Sequence, residues 1–343
     1  MPRTRFLRST IVAAVLIALF GATGASAQSA ADFYKGKRLN LIIASGVGGG
    51  YDSYARVLSR HWGKYIPGNP TVVVQNMDGA AGITATNHIA NKAERDGTAV
   101  LATYNTLTIQ PLLDNKGILY DSQTLNWIGS IGKQVNICVT WAASSPIKTL
   151  DQAKTTEIPV SSTGATGNSA TLPNMINKLI GTNFKVVSGY PGAPEMSLAL
   201  ERGEAQARCG WSWSSASTER NWLKDKKIMV PLVLGTDKLK EMPEVPRAID
   251  FAKTDEGRGV LQFLADSGKL GRPFVAPPNV PADRLAALRN AFAKTMEDEE
   301  FKADAAKQNF IADPLSGADL QATVQNMAGA SPAVLQSVKA VVP

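Results

Sequence analysis

The sequence predicts an α/β protein whose sheets are doubly wound, mostly parallel and flanked by helices. Short apolar segments alternate with glycine-rich turns and amphipathic stretches, which is the order of strand, turn and helix in such sheets. The chain has 343 residues, of which 44% are hydrophobic and 19% charged. That length and composition exclude a disordered chain and favour two domains.

The first 27 residues have the pattern of a secretory signal peptide. Three arginines precede the apolar run Ile11–Phe20, and Ala25-Ser26-Ala27 then provides the small residues that a signal peptidase requires. The run is too short to span a bilayer, so we expect cleavage after Ala27 and export to the periplasm. Loss of the three arginines would lower the formal charge from +7 to +4, a mild excess that does not indicate nucleic-acid binding.

The first strand is predicted at Leu39–Ala44, because a nearly continuous apolar run suits a parallel strand that is buried on both faces. The glycine-rich turn Ser45–Gly50 follows it. A helix is then expected from Asp52, its predicted N-cap, because apolar residues as far as Tyr65 share one helical face. The next predicted elements are strand Thr71–Gln75, turn Asp78–Gly82, helix Ile83–Lys92 and strand Ala99–Thr103.

A second series of the same kind begins near residue 130. Its predicted strands are Val135–Trp141, Ile158–Ser162, Phe184–Ser188, Ala205–Trp211 and Ile228–Leu234. Helices are expected from the glycine turn at Thr163–Ser169 to Ile180, and over Pro194–Arg202. Strand Pro273–Ala276 and helix Pro281–Met296 follow, with shorter helices after them.

The glycine turns predict an anion site. A turn such as Gly46–Gly50, between a buried strand and a helix, exposes backbone N–H groups beside the positive end of the helix dipole. A dinucleotide is not favoured, because Tyr51 occupies the last glycine position of that fingerprint and the second strand ends in Gln75-Asn76 rather than in an acid. A phosphate-binding P-loop is excluded, because no Gly-Lys-Ser/Thr follows the glycines.

Two of these turns lie in longer motifs. Gly48–Arg56 reads GGGYDSYAR, and Val73–Gly82 reads VVQNMDGAAG. Together they resemble the solute-binding receptors of tripartite tricarboxylate transporters, also called the Bug family. The resemblance covers nearly the whole mature chain in the right order. Its further segments are Asp96–Thr98, Ser161–Ser169, Gly189–Gly192, Gly203-Glu204 and Ala276–Ala282.

Three positions depart from the family pattern. An alanine replaces a glycine in Gly79–Gly82, Tyr190 lies in a Gly-Tyr-Pro-Gly segment, and Gln206 stands where the family usually has an aspartate at the cleft. The ligand of this chain therefore cannot be copied from better-known members.

The resemblance implies a two-lobed periplasmic-binding-protein fold of the flytrap type (type II), which closes on a small organic carboxylate. Residues 28–129 with 237–343 would form the first lobe, and residues 130–236 the second, after the signal peptide 1–27. The receptor would deliver its ligand to the membrane permease subunits of a tripartite transporter, or alternatively to a membrane sensor. We expect a monomer with no catalytic residue, cofactor, metal or nucleic-acid partner.

The resemblance also implies ligand contacts from both lobes. Amides and hydroxyls of the first glycine loop and of Gly79–Gly82 would hold one carboxylate, and the Ser161–Ser169 loop would contact the ligand from the other lobe. Asp52 is expected mainly to support its loop. The candidate ligand-binding residues are Gly48, Gly49, Gly50, Tyr51, Asp52, Gly79, Ala80, Ala81, Gly82, Tyr104, Asn105, Ser162, Thr163, Gly164, Thr166, Gly167, Ser169, Tyr190, Gln206 and Trp211.

The remaining reactive residues leave alternatives open. Cys138 and Cys209 fall in second-lobe strands that the family topology places near each other, so they form either a disulfide or two buried thiols. Arg208 would pair either with a ligand carboxylate or with an internal acid. An exported hydrolase or lyase is disfavoured, because His61 and His88 lack partners at ligand-like spacing and no Gly-x-Ser-x-Gly motif occurs.

Overall fold

The computed structural model describes residues 29–341 except 114–116, 166, 217–218, 220, 237, 309, 311 and 330–331. The predicted signal peptide and Thr166 therefore lie outside the described residues. The described chain forms two β-sheets flanked by helices, which confirms the α/β class. No helix in this part of the chain is both long and apolar enough to cross a membrane.

The secondary-structure elements follow the predicted alternation closely. The strands are β1 Arg38–Ile43, β2 Thr71–Asn76, β3 Ala99–Ala102, β4 Asn126–Ser130, β5 Asn136–Trp141, β6 Ile158–Ser162, β7 Phe184–Ser188, β8 Ala207–Ser212, β9 Ile228–Val233, β10 Pro273–Ala276 and β11 Leu315–Ser316. The α-helices of the described residues are α1 Ala30–Tyr34, α2 Gly50–Trp62, α3 Ile83–Asn91, α4 Leu150–Thr155, α5 Asn168–Ile180, α6 Ala193–Arg202, α7 Trp213–Ala216, α8 Asp255–Lys269, α9 Ala282–Glu297, α10 Glu299–Lys307, α11 Gly317–Ala328 and α12 Pro332–Val341.

The first sheet has the strand order β11-β4-β10-β3-β1-β2. Strand β1 is parallel to both β2 and β3, and Ile43 at its end lies opposite Asn76 and Ala102. The carboxyl ends of these three strands therefore meet at one edge of the sheet. The glycine loops that follow β1 and β2 are neighbours for this reason, as the sequence pattern predicts.

The second sheet has the order β7-β6-β8-β5-β9. Strand β6 is parallel to β7 and β8, whereas β5 is antiparallel to both β8 and β9. Helix α5 follows β6 through a glycine loop, and the short helix α7 follows β8 directly. Both helices therefore begin at the edge where the parallel strands end.

Both sheets are mixed, and in each of them most strands run in one direction. The strands that run against the others are β10 and β11 in the first sheet and β5 in the second. Strands β5 and β10 are the first strands after the chain crosses from one sheet to the other, and a strand that enters in this way need not run in the direction set by a helical crossover. Strand β4 was not predicted, because Asn126–Ser130 contains only two large apolar residues.

Each sheet has its own aromatic packing. Trp62 of α2 lies against Phe274 and Phe292 in the first sheet's core, with ring centroids 6.2 and 6.4 Å away. In the second, Trp222 contacts both Trp141 and Trp211 at 5.0 and 6.2 Å. Rigid packing behind each sheet leaves the loops at the strand ends as the surfaces that face each other.

Candidate ligand-binding site

A cavity of about 90 Å³ lies between the loops of the two sheets. At about 15 Å³ for each water-sized group, it has room for roughly six such groups. The first sheet contributes the loop before α2 and Arg272, and the second contributes the loop before α5, the start of α6 and the end of β8. None of the residues that line it is acidic.

Three of the helices that begin at this cavity follow a glycine N-cap. Gly49 precedes α2, Gly167 precedes α5 and Gly192 precedes α6, and none of the three can cap its helix with a side chain. Five helices that begin elsewhere are capped by their own side chains, namely those of Ser29, Thr149, Thr254, Asp298 and Ser316. The first-turn N–H groups at the cavity are thus left for an acceptor inside it.

A buried network supports the loop before α2. Asp52 is 2% exposed, and its carboxylate accepts the N–H of Gly48 at 2.8 Å and the amide of Asn76 at 2.8 Å. Arg56 pairs with the same carboxylate at 2.9 Å and donates to Asn76 Oδ1 at 2.6 Å. The prediction that Asp52 is the N-cap is wrong, because Gly49 holds that position and Asp52 is the third helical residue. Its side chain supports the loop.

Tyr51 connects this loop to both lobes. Its hydroxyl lies 2.7 Å from Gln134 Oε1 and 3.2 Å from Asn105 Oδ1. Asn105 is fully buried, and its Oδ1 also accepts the side-chain amide of Asn168 at the start of α5, at 3.1 Å. Desolvation raises the pKa of Tyr51 to about 12, so its hydroxyl stays protonated at neutral pH. The ring of Tyr104 packs edge-on against Tyr51 at 4.5 Å.

Arg272 directly precedes β10 and is 3% exposed. Its Nη2 lies 2.9, 3.1 and 3.2 Å from the hydroxyls of Ser214, Ser215 and Ser212, on the other side of the cavity. Its Nε and Nη1 are buried without a hydrogen-bond partner. Burial lowers the pKa of Arg272, and its guanidinium carries its charge at neutral pH. This side chain therefore places a cation with unused donors at the cavity.

Arg208 on β8 is the second buried guanidinium at the cavity, and it is 4% exposed. Its Nη1 donates to Ser197 Oγ at 2.9 Å and to the carbonyl of Ala193 at 3.4 Å. The guanidinium lies 3.9 Å from the centre of the Trp211 ring. Burial lowers the pKa of Arg208 to about 9, and the charge of Glu219 partly opposes this shift.

Hydroxyl groups in the Ser162–Ser169 loop bond mainly to one another. Ser162 Oγ lies 3.0 Å from Ser169 Oγ, which accepts the N–H of Thr163 at 3.2 Å. The N–H of Gly164 donates to Ser162 Oγ at 3.3 Å. Thr163, Gly167 and Ser169 line the cavity, whereas Ser162 and Gly164 shape the loop behind it.

A second cavity of about 170 Å³ adjoins the first and shares Ala81, Tyr104 and Thr163 with it. It is bounded by the loop Asp78–Gly82 and by Gly189–Pro191. Within the loop Asp78–Gly82, Ala80 and Ala81 have φ values of 46° and 53°. The turn thus keeps a left-handed conformation although alanine replaces a family glycine, at a cost of about 1 kcal/mol per residue.

The structure divides the predicted ligand-binding residues into three groups. Those that line the first cavity are Gly49, Gly50, Tyr51, Ala81, Tyr104, Thr163, Gly167, Ser169 and Trp211. Those that line only the second are Gly79, Ala80, Gly82 and Tyr190. Those that line neither of these two cavities are Gly48, Asp52, Asn105, Ser162, Gly164 and Gln206. Gln206 precedes β8, whose opposite end reaches the first cavity.

Sequence reasoning missed several residues that line the first cavity. They include Gln134, Asn168, Ser212, Ser215 and Arg272. A signal for Arg272 was present, because a charged residue directly precedes the wholly apolar strand Pro273–Ala276.

A disulfide lies behind the cavity. It joins Cys138 of β5 to Cys209 of the adjacent strand β8, with the Cα atoms 3.9 Å apart. Gly210 follows with φ 66°, and a Cβ at that position would strike the backbone of Asn168 at the start of α5. Because Cys209 is next to Arg208, the disulfide holds β5 against the part of β8 that presents Arg208 to the cavity.

A cluster of His61, Asp298 and Glu300 on the first lobe has the composition of a metal site. Lys64 Nζ already lies 2.6 Å from Asp298 and 2.7 Å from Glu300. His61 lies 3.0 Å from Asp304 and 3.7 Å from Asp298. These contacts describe an ion-pair network, and we assign no metal to it.

The fold and the cavity define the class of two-lobed solute-binding proteins. The chain belongs to the tripartite tricarboxylate transporter family receptors, since the profile of that family matches residues 55–338. Members of the family are periplasmic solute-binding receptors, not enzymes, that bind small carboxylates and work with the transporter's membrane subunits. The resemblance inferred from the two loop motifs is thereby confirmed.

Two curated relatives are UPF0065 proteins. One, from Cupriavidus necator, is 26% identical over 317 residues, covering 90% of this chain and 89% of the relative. The other, from Bordetella bronchiseptica strain RB50, is 27% identical over 202 residues, and the match spans 57% of each protein. Neither name states a ligand.

Two solved structures have the same fold. MatC from Rhodopseudomonas palustris with bound malate is 17% identical, with a TM-score of 0.68 over 89% of this chain and 99% of that one. The periplasmic binding protein BugD is 18% identical, with a TM-score of 0.67 over 90% of this chain and 97% of that one. These likenesses confirm the two-lobed periplasmic-binding-protein architecture.

Proposed function

We propose that this protein is an exported receptor that captures a small organic carboxylate between its lobes and delivers it to the membrane subunits of a tripartite transporter. The observation that carries the proposal is the composition of the first cavity. Two buried guanidinium groups and three glycine-capped helix N-termini line it, and no acidic side chain does. Such a cavity favours a negatively charged ligand.

The family of this chain and the similar solved structures agree with a receptor for carboxylates. The family is named for a carboxylate transporter, and the R. palustris structure of the same fold contains malate. Affinity for the closed arrangement would come from donors on both lobes, because a ligand that contacts both stabilises closure by its differential affinity. Delivery to permease subunits follows the family role.

The ligand class is tested by calorimetry of the purified protein against a panel of mono-, di- and tricarboxylates, with thermal unfolding in parallel. We expect at least one carboxylate to bind, and to add about 2.7 kcal/mol to the free energy of unfolding at a hundred times its dissociation constant. If no member of the panel binds or raises the unfolding temperature, the proposal is wrong.

Export and lobe organisation complete the proposal. We propose that residues 1–27 are removed, that residues 28–129 with 237–343 form one lobe and 130–236 the other, and that the receptor is a monomer. The strands of the first sheet come from residues 38–130 and 273–316, and those of the second from 136–233, which supports this division. N-terminal sequencing of the periplasmic protein should begin at Gln28, and an intact N-terminus would contradict processing.

A further inference from the structure

Two cations at the first cavity have no carboxylate of the described residues in ion-pair contact, although the charge of Glu219 acts on Arg208 from a greater distance. No carboxylate in the described part of the chain forms an ion pair with Arg208 or Arg272, although the two side chains are only 4% and 3% exposed. A buried charge without a counterion is costly. Surface arginines of the same protein, such as Arg60 and Arg247, do pair with aspartates.

The neighbours of Arg272 orient it without neutralising it. Three serine hydroxyls surround Nη2, while Nε and Nη1 have no partner. The aromatic face of Tyr54 lies 3.9 Å from the guanidinium carbon and holds the plane of the group. Because all of these neighbours are neutral, the positive charge of Arg272 remains available to pair with an anionic ligand.

Arg208 is arranged in the same manner on the other lobe. Ser197 and a backbone carbonyl accept hydrogen bonds from Nη1, and the Trp211 ring covers one face. The disulfide beside it limits its movement. Each lobe thus contributes one fixed guanidinium to one cavity.

We propose that Arg272 and Arg208 are specificity-determining residues that select a ligand with two negative charges, a short dicarboxylate rather than a monocarboxylate. The inference rests on the proposed function and adds the charge of the ligand to it. Two buried cations without a carboxylate in ion-pair contact favour a ligand with two negative charges, and the cavity of about 90 Å³ limits the ligand to a short chain. Since the two arginines belong to different lobes, neutralisation also couples binding to closure.

The test compares succinate with its monomethyl ester by calorimetry on the full mature protein. The ester has the same chain and one charge fewer, and we expect it to bind about a hundredfold more weakly, as for removal of one partner of a buried charge pair. Arg272→Gln and Arg208→Gln should each lower succinate affinity by a similar factor while changing ester affinity much less. Arg272→Lys should fall between wild type and Arg272→Gln, because it keeps the charge but loses the planar donors.

Arg60→Gln is the matched control, because it removes one positive charge from a half-exposed site outside the cavity. It should leave succinate affinity unchanged. Circular dichroism and thermal unfolding report whether each variant is folded. If a glutamine variant does not fold, Arg272→Lys and the wild-type comparison of succinate with ester decide the question.

The outcomes separate the two proposals. If the wild type binds none of malonate, succinate, glutarate, their monomethyl esters and the wider carboxylate panel, the proposed function fails and the dianion inference fails with it. If the ester binds as tightly as succinate, or Arg272→Gln keeps wild-type selectivity, only the dianion inference is overturned. Binding of inorganic phosphate or sulfate in preference to all dicarboxylates would also overturn it.

Discussion

Gly50 contributes space to the cavity rather than a contact. It is the first residue of α2, and a Cβ there would strike the hydroxyl of Ser215 and lie 3.5 Å from Nη2 of Arg272. The absent side chain lets the first lobe approach the serines of the second. Asp52, in contrast, acts only through the backbone that it holds, because its carboxylate is saturated by internal donors.

Gly50→Ala should therefore weaken succinate binding about tenfold, since the methyl group and the Ser215 hydroxyl compete for the same space. Stability should change little, because alanine is favoured over glycine within a helix. Calorimetry and thermal unfolding measure the two effects. Gly259→Ala is the matched control, as it adds a methyl group to a helical glycine with nothing within 4 Å. Ser215→Ala in the Gly50→Ala background should restore part of the succinate affinity. If Gly50→Ala alone binds succinate as tightly as the wild type, Gly50 does not provide space for the ligand.

Arg208 makes ligand affinity depend on pH. Burial lowers its pKa to about 9, so it is charged at neutral pH and loses its proton near that value. Ligand affinity should be constant between pH 6 and pH 8 and fall as the pH rises through about 9. The free energy of unfolding of the unliganded protein should instead rise with pH over the same range. The unfolded chain keeps the proton on this arginine there, whereas the folded chain loses it and with it a buried charge. Calorimetry measures how affinity changes with pH across this range, and urea unfolding measures how the free energy of unfolding changes, with Arg208→Gln as the control. If the wild type and the variant show the same pH dependence, Arg208 is not its cause.

At the scale of elements, helix termini and one strand pair build the site. Three helices that begin at the cavity, α2, α5 and α6, have glycine N-caps, and their first-turn amides remain for a ligand. Strands β5 and β8 carry Arg208 and the disulfide. Binding groups are thus placed at the ends of regular elements, where backbone donors are unsatisfied and positions are rigid.

Loss of the disulfide should lower both stability and affinity. The bridge closes a sequence separation of 71 residues, for which the chain-entropy model gives about 4 kcal/mol. A variant with both Cys138→Ala and Cys209→Ala should therefore unfold at lower urea concentration and bind succinate more weakly. Thiol titration of the denatured, unreduced wild type should find no free thiol. Two titratable thiols, or a double variant as stable as the wild type, would contradict the assignment.

At the scale of the whole molecule, the structure is a closed arrangement. Arg272 reaches serines of the second lobe, and Asn168 of the second lobe donates to Asn105 of the first. These polar contacts join the two lobes around a positively charged cavity, so we expect an anion bound there to stabilise this arrangement further. The chain crosses from one sheet to the other between β4 and β5 and returns between β9 and β10, and such crossings can act as a hinge.

The radius of gyration measured by small-angle X-ray scattering should therefore decrease when succinate is added to the wild type. Arg272→Gln should show a smaller decrease at the same ligand concentration, because it removes a cross-lobe contact and a ligand partner together. Arg60→Gln again serves as the control. Identical scattering of the wild type with and without saturating ligand would rule out ligand-coupled closure.

Much of the site could be predicted from local sequence, and the rest depends on distant contacts. We expected three glycine segments at the cleft: the loops before α2 and α5 and the turn at Gly79–Gly82. A glycine turn between a strand and a helix predicts a backbone anion site, and this pattern can be read from neighbouring residues alone. Asp52 was assigned to the N-cap, three positions before its actual place as the third helical residue, since an aspartate near the start of a helix can occupy either position. Gln206 was carried over from the family pattern, and the direction of β8 places it away from the first cavity.

The sequence by itself determined the α/β class and the order of the elements, because periodicity and turn chemistry are properties of neighbouring residues. The family followed from the resemblance of the two loop motifs and the further segments to those of known receptors. Only the tertiary structure decided that both sheets are mixed, that Cys138 meets Cys209, and that Arg208 and Arg272 share one cavity. Those facts depend on which strands lie side by side and on how the lobes face each other. Arg208 and Arg272 are 64 positions apart in the chain, and no local pattern states that they line the same cavity or that acidic side chains are missing from it.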